Sequence, residues 1–82
     1  MEISEHQVRV YRVLTRGEWV STAELADLAE VAPRTARLHA QGLVKAGIAE
    51  RRTVFPGYRY RATGTGDAAY LEQLKEACRI FK

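Results

Sequence analysis

The sequence predicts a mostly helical α+β domain, and three observations carry that prediction. Apolar residues recur at three- and four-residue spacing through residues 4–46, then switch to a period of two over residues 48–62. A Pro56-Gly57 pair separates two runs of the second kind, as in a hairpin. After residue 63 the helical spacing returns. At 82 residues the chain has room for one domain and one core, and a core of that size gives only marginal stability by itself.

The first helix spans residues 4–16, with Ile3, Val10, Tyr11, Val13 and Leu14 on one broad side. Glu5, Arg9, Arg12 and Arg16 fall on the other side, where Glu5 is placed to pair with Arg9. That arginine stripe reads as a solvated face, and Gly17 ends the helix. Trp19-Val20 reads as a minimal strand. Ser21-Thr22-Ala23-Glu24 is a capping box, because the serine side chain and the glutamate three residues on can satisfy each other's free amides. It opens a second helix over 22–30, with Leu25, Leu28 and Ala29 facing the core. Val31-Ala32 forms a tight turn.

Pro33 then suits the first turn of a third helix, since its missing amide would have had no partner there. This helix covers 33–46. Ala36, Ala40 and Leu43 align inward, and Arg34, Leu38, Gln41 and Lys45 lie opposite, flanked by Arg37 and Gly42. Gly47 ends it. Residues 48–54 and 58–62 read as strands joined by Phe55-Pro56-Gly57, with Pro56-Gly57 suited to the middle of a type II turn. Tyr58, Tyr60 and Ala62 make one face of the second strand apolar, while Arg59 and Arg61 make the other basic. Residues 63–66 form a flexible joint. Thr65 or Asp67 caps a last helix to about residue 81, in which Leu71, Leu74, Cys78 and Phe81 give a little over one heptad of coiled-coil seam.

Charge is unevenly placed. The formal net charge is +3, but residues 1–31 carry −3, residues 32–62 carry +6 and residues 63–82 balance. A basic block within an acidic scaffold fits either a site for a polyanion or a solvated surface that happens to be basic. No stretch of about 18 apolar residues is present to span a membrane. The polar start Met-Glu-Ile-Ser-Glu-His is unlike a secretory signal, and the single cysteine cannot make an internal disulfide or a zinc site. Both fit a cytoplasmic protein with no metal or cofactor. The histidines are His6 and His39, and no phosphate loop, metal-ligand spacing or nucleophile–base pair accompanies them, which argues against an enzyme.

Three segments resemble the winged helix-turn-helix superfamily of bacterial transcription regulators, the broad MarR-like and ArsR-like group. Trp19-Val20-Ser21-Thr22-Ala23-Glu24-Leu25-Ala26 looks like the entry to the positioning helix. Ala32-Pro33-Arg34-Thr35-Ala36-Arg37 looks like the start of the recognition helix. Leu43-Val44-Lys45-Ala46-Gly47-Ile48-Ala49 looks like the exit into the wing, and Tyr60-Arg61-Ala62-Thr63 like its return strand. The resemblance covers about residues 8–63. It departs from the group where Ala32 replaces the usual capping serine, where Ala40 replaces a bulkier residue and where the wing turn is short, so no subfamily is assigned.

The resemblance implies a three-helix core with a two-stranded β wing as a DNA-binding domain over residues 1–63. Residues 64–82 would form a C-terminal dimerisation helix. It further implies a sequence-specific binder of double-stranded DNA that regulates transcription, as a repressor in the first reading and an activator in the second. Arg34, Thr35, Arg37, Leu38, Gln41 and Lys45 would lie on the recognition helix in the major groove, with His39 at its flank. Arg51, Arg52, Arg59 and Arg61 of the wing would meet the backbone or enter the minor groove. Tyr70, Leu71, Leu74, Cys78 and Phe81 would pair two copies, the rival being that this stripe folds back on the first helix. The alternative function is a protein-docking module, which would not need the +6 segment. Metal sensing lacks its Cys/His cluster, and a small-molecule effector stays open.

Overall fold

The computed structural model describes residues 3–81. The chain runs α1 (Glu5–Leu14), β1 (Val20–Ser21), α2 (Thr22–Ala29), α3 (Pro33–Lys45), β2 (Ala49–Val54), β3 (Gly57–Ala62) and α4 (Ala68–Ile80). This is the order and the mostly helical α+β class that periodicity predicts.

Local chemistry fixes the helix ends. Ser4 caps α1: its Oγ accepts from the Gln7 amide at 3.2 Å, and Gln7 Oε1 accepts from the Ser4 amide at 3.1 Å. Ser21 and Glu24 repeat this box at the start of α2, at 3.1 and 3.3 Å. Ala32 gives α3 no side-chain cap, and Pro33 in the first turn offsets that lack. Between α2 and α3, Glu30 adopts the left-handed conformation (φ 57°, ψ 46°). The Val31 amide then donates back to the Ala26 carbonyl at 3.0 Å and closes α2.

Helices α1, α2 and α3 enclose a core built from Val10, Val13, Leu14, Leu25, Ala36, Ala40 and Leu43. Val8 is fully buried as well. The alanines on the inner side of α3 leave no bulk between it and its neighbours, so it lies close to α1 and α2. Leu28 departs from expectation: it is 47% exposed, and Ala26 is buried instead. In so short a helix Leu25, Ala26 and Ala29 make the inward face, and Leu28 falls at its edge.

The three strands form an antiparallel sheet in the order β1-β3-β2. Val20 pairs with Tyr60 and Ser21 with Arg59, while β2 and β3 pair from Ala49–Ala62 out to Val54–Gly57. The turn at the tip therefore consists of Phe55 and Pro56, joined by a cis peptide bond. The expected type II turn does not form. Pairing with Val54 draws Gly57 into the strand, and its φ is not positive.

The joint over 63–66 is tied to the end of α3 by hydrogen bonds and a close backbone approach. Thr63 Oγ1 donates to the carbonyl of Gly47 at 2.8 Å, and the Asp67 amide donates to the Ala46 carbonyl at 2.8 Å. Gly66 (φ +117°) lies directly on Gly47, where a Cβ would come within 2.6 Å of backbone. Asp67, not Thr65, caps α4 by accepting from the Tyr70 amide. Helix α4 then lies along α1, with Leu74 fully buried in the shared core and Ala77 buried beside it. Arg12 reaches from α1 to the Cys78 carbonyl, so one member of the arginine stripe ties down the end of α4.

Candidate nucleic-acid interface

Helix α3 presents its polar side to solvent. Arg34, Arg37, Leu38, Gln41 and Lys45 are exposed, Leu38 by 65%. Thr35 and His39 are half-buried at the flanks. The helix contains no acidic residue. None of Arg34, Arg37 and Lys45 makes an ion pair among the described residues. Burial, with His6 beside it, holds His39 below the usual histidine pKa, so its imidazole stays neutral more readily. At the start of α3, Thr22, Pro33, Arg34 and Arg37 line a shallow cleft of about 420 Å³. The first turn of α3 has no side-chain cap, and free amides at a helix start favour an anion.

The wing carries four arginines, and the pleat divides them. Arg51 pairs with Tyr60 in the register and shares the face whose Tyr60 enters the common core. Its guanidinium lies 4.6 Å from the Tyr58 ring. Tyr60 is fully buried beneath it, with its hydroxyl near the Thr22 side chain but in no hydrogen bond of good geometry among the described residues. Burial raises the Tyr60 pKa, against the pull of the nearby Arg51 and Arg37 charges. Arg37 of α3 and Arg51 of β2 therefore approach the same point, which joins the helix and the wing into one basic surface.

Arg52, Arg59 and Arg61 occupy the opposite face of the hairpin. Arg52 and Arg59 stand directly across from each other, an arrangement that like charges resist. Two devices relieve it. Glu24 pairs with Arg59 at 3.2 Å, and Glu50 pairs with Arg61 at 3.1 Å. The ring of Trp19 takes Arg52 at 4.8 Å and Arg61 at 4.5 Å, within cation–π range. Glu24 thus acts twice, capping α2 and restraining Arg59. Its carboxyl is lowered in pKa first by the Ser21 amide, then by the Ser21 hydroxyl, with Arg59 adding to both.

The sequence reading missed Trp19 and Glu24 as partners of the wing. Both contacts depend on the β1–β3 register, which brings residues 33 to 42 positions apart together and leaves no local signal.

The five residues assigned to dimerisation are placed unequally. Leu74 is fully buried in its own domain, and Tyr70, Leu71, Cys78 and Phe81 are half-buried. Ile80, at the end of α4, is 70% exposed. A second cleft, of about 310 Å³, lies between α1 and α2 and is lined by Arg9, Arg12, Arg16, Leu28 and Phe81.

No family model and no curated protein sequence matches the chain. Among solved structures, it is similar to the transcriptional regulator PA4135, with a TM-score of 0.67 and 19% identity over 95% of this chain. It is also similar to the multiple antibiotic-resistance repressor MarR from Listeria monocytogenes, with a TM-score of 0.61 and 13% identity over 94% of this chain. The fold is the winged helix that those structures share. The chain spans 61% and 60% of their respective lengths. Among the described residues, no helix is long and apolar enough to cross a membrane.

Proposed function

We propose that the chain is a sequence-specific binder of double-stranded DNA that regulates transcription by repression, working by binding and not by catalysis. One observation carries this reading. The α3 face offers Arg34, Arg37, Gln41 and Lys45 to solvent with no acid on the helix, and Arg37 on it and Arg51 of the wing both lie near Tyr60. The major groove is about 12 Å wide and admits one such helix. Arg34 and Arg37 can meet guanine with forked donors, Gln41 can pair with adenine, and Leu38 can pack on a thymine methyl. Thr35 and Lys45 are positioned for phosphates, and the wing arginines for the backbone beside them. The winged-helix neighbours named above, which include a transcriptional regulator and a repressor, support the same assignment.

A salt titration on random 30-base-pair duplex tests it. Each phosphate neutralised contributes about −0.9 to the slope of log K against log salt, so about four or more contacts give a slope near −4 or steeper. Absence of binding at low salt would overturn the proposal and leave protein docking as the function of the fold.

Two copies are proposed to bind together, so that two α3 helices read half-sites about one DNA turn apart. With Leu74 committed to the domain's own core, the surface proposed for pairing is the edge of α4 formed by exposed Ile80 and half-buried Leu71 and Phe81. Ile80→Asp is expected to halve the mass measured by light scattering. A mass that stays dimeric would move the interface elsewhere.

A further inference from the structure

The wing tip holds a feature that a purely electrostatic contact does not explain. Phe55 is 93% exposed, the most exposed of the large hydrophobic residues among those described, and Pro56 stands exposed beside it. Val54 and Tyr58 on either side are exposed too. Phe55 sits four residues beyond Arg51, which lies opposite the buried Tyr60. At ~3.3 Å per strand residue, the tip projects about 13 Å past the core. From Arg51 to Arg61 the sequence holds four arginines and no acid.

We propose that the Phe55-Pro56 tip is an apolar wedge that enters the minor groove next to the α3 site and partly unstacks a base step. The inference rests on the reading of the chain as a binder of duplex DNA. A minor groove about 6 Å wide admits a two-residue turn but not a helix. Proteins that bend DNA from this groove use phenylalanine and proline as such wedges. The surroundings fit this occupant. An apolar protein groove gains little from Arg51 and Arg52, which stand behind the tip with no acidic partner among the described residues. A duplex, by contrast, sets an apolar base stack behind an anionic rim, which matches an apolar tip with a cationic collar. The tip also borders the α3 site. A cleft of about 280 Å³ separates Phe55 and Pro56 from Thr22, and Thr22 lines the cleft of Arg34 and Arg37 as well. A bilayer with anionic headgroups shares the layering but offers no groove for α3.

The wedge confers a preference that no hydrogen bond supplies. Pyrimidine–purine steps unstack most easily, so sites with a TA step under the tip are favoured.

The test uses a 30-base-pair duplex of alternating TA steps in which 2-aminopurine, bright when unstacked, replaces spaced adenines. The wild-type chain is expected to raise its fluorescence on saturation. Phe55→Ala is expected to bind about tenfold or more weakly, with an unchanged salt slope and no rise. Phe55→Leu, which keeps an apolar wedge, is expected to retain most of the rise. The exposed position means that all three chains melt at the same temperature. Wild-type binding without a rise, or equal binding by Phe55→Ala, would overturn the wedge and leave the DNA reading intact. No binding by any of the chains at low salt would overturn that reading itself. If Phe55→Ala instead changes the mass in light scattering, or abolishes binding to phosphatidylserine vesicles while DNA binding persists, the tip serves a protein contact or a membrane and the wedge is wrong.

Discussion

Helix α3 and the wing are both basic, and the structure treats their charges differently. The helix carries three cations, Arg34, Arg37 and Lys45, none of them ion-paired among the described residues. The wing carries four arginines, two of which are held by Glu24 and Glu50, with Trp19 stacked against Arg52 and Arg61. Counting charges would rank the wing first. Counting charges without an acidic partner among the described residues ranks α3 ahead, three against two. The largest expected effect therefore belongs to α3. Arg34→Ala with Arg37→Ala is expected to erase discrimination between operator and random DNA, because each guanine contact is worth about 1–3 kcal/mol. Circular dichroism should stay unchanged, since both side chains are exposed. Discrimination that survives the double variant would shift sequence reading to the wing.

The next effect separates the wing's own two pairs of arginines. Arg51→Ala with Arg52→Ala removes guanidiniums that have no acidic partner among the described residues. Binding is expected to weaken on all sequences, and the salt slope to fall by about 2. Arg59→Ala with Arg61→Ala is expected to act in the same direction but less, because Glu24 and Glu50 already offset those charges. The reverse order in the salt slopes would show that exposed ion pairs this weak do not hold arginines back from phosphate.

A smaller effect comes from releasing one restraint. In Glu24→Gln the glutamine can still complete the capping box with Ser21, so α2 is expected to keep its start. Arg59 loses its carboxylate, and the salt slope is expected to steepen by up to about 1. Acid does not substitute for this variant. The Ser21 amide, the Ser21 hydroxyl and Arg59 all lower the Glu24 pKa, so its contribution holds above the ordinary value of 4.5 and is lost only as pH falls through the lowered folded value.

The contrast between the two regions also shows what a sequence makes legible. The outward face of α3 was readable because a helix places its side chains by a local rule, and Arg34, Leu38, Gln41 and Lys45 fall where a 3.6-residue period puts them. The Ser21–Glu24 box was readable for the same reason. The wing's alternation was readable too, but not what its arginines meet. Trp19 and Glu24 reach them only through pairing of β1 with β3. The tip turn was misplaced because strand register, a non-local property, decides whether Gly57 belongs to the turn or to the strand. The glycines of the joint over 63–66 do not by themselves reveal a close approach. The fold uses Gly66 to let two backbones touch at Gly47. The apolar stripe of α4 was legible as a stripe, yet periodicity does not say whose core it enters, and Leu74 enters its own.

The smallest effect arises behind the α3 face. His39 is half-buried on the flank that turns toward α1, with His6 nearby, and burial is the larger cause of its lowered pKa. The folded chain thus binds this proton less readily than the unfolded chain, whose histidine titrates near 6.5. The sign follows by linkage: stability is full above that value, declines as pH falls below it, and levels off beneath the folded pKa. Melting temperatures taken from about pH 7.5 down to about pH 5.5 are expected to fall in the wild type and to fall less in His39→Gln. An identical slope in both would assign the titration to other groups. It would also mean that α3 rests on α1 without regard to the charge between them, so that the helix is electrostatically one-sided. A flatter slope would give α3 two electrostatic sides, an outer one kept positive for its ligand and an inner one kept neutral for its packing.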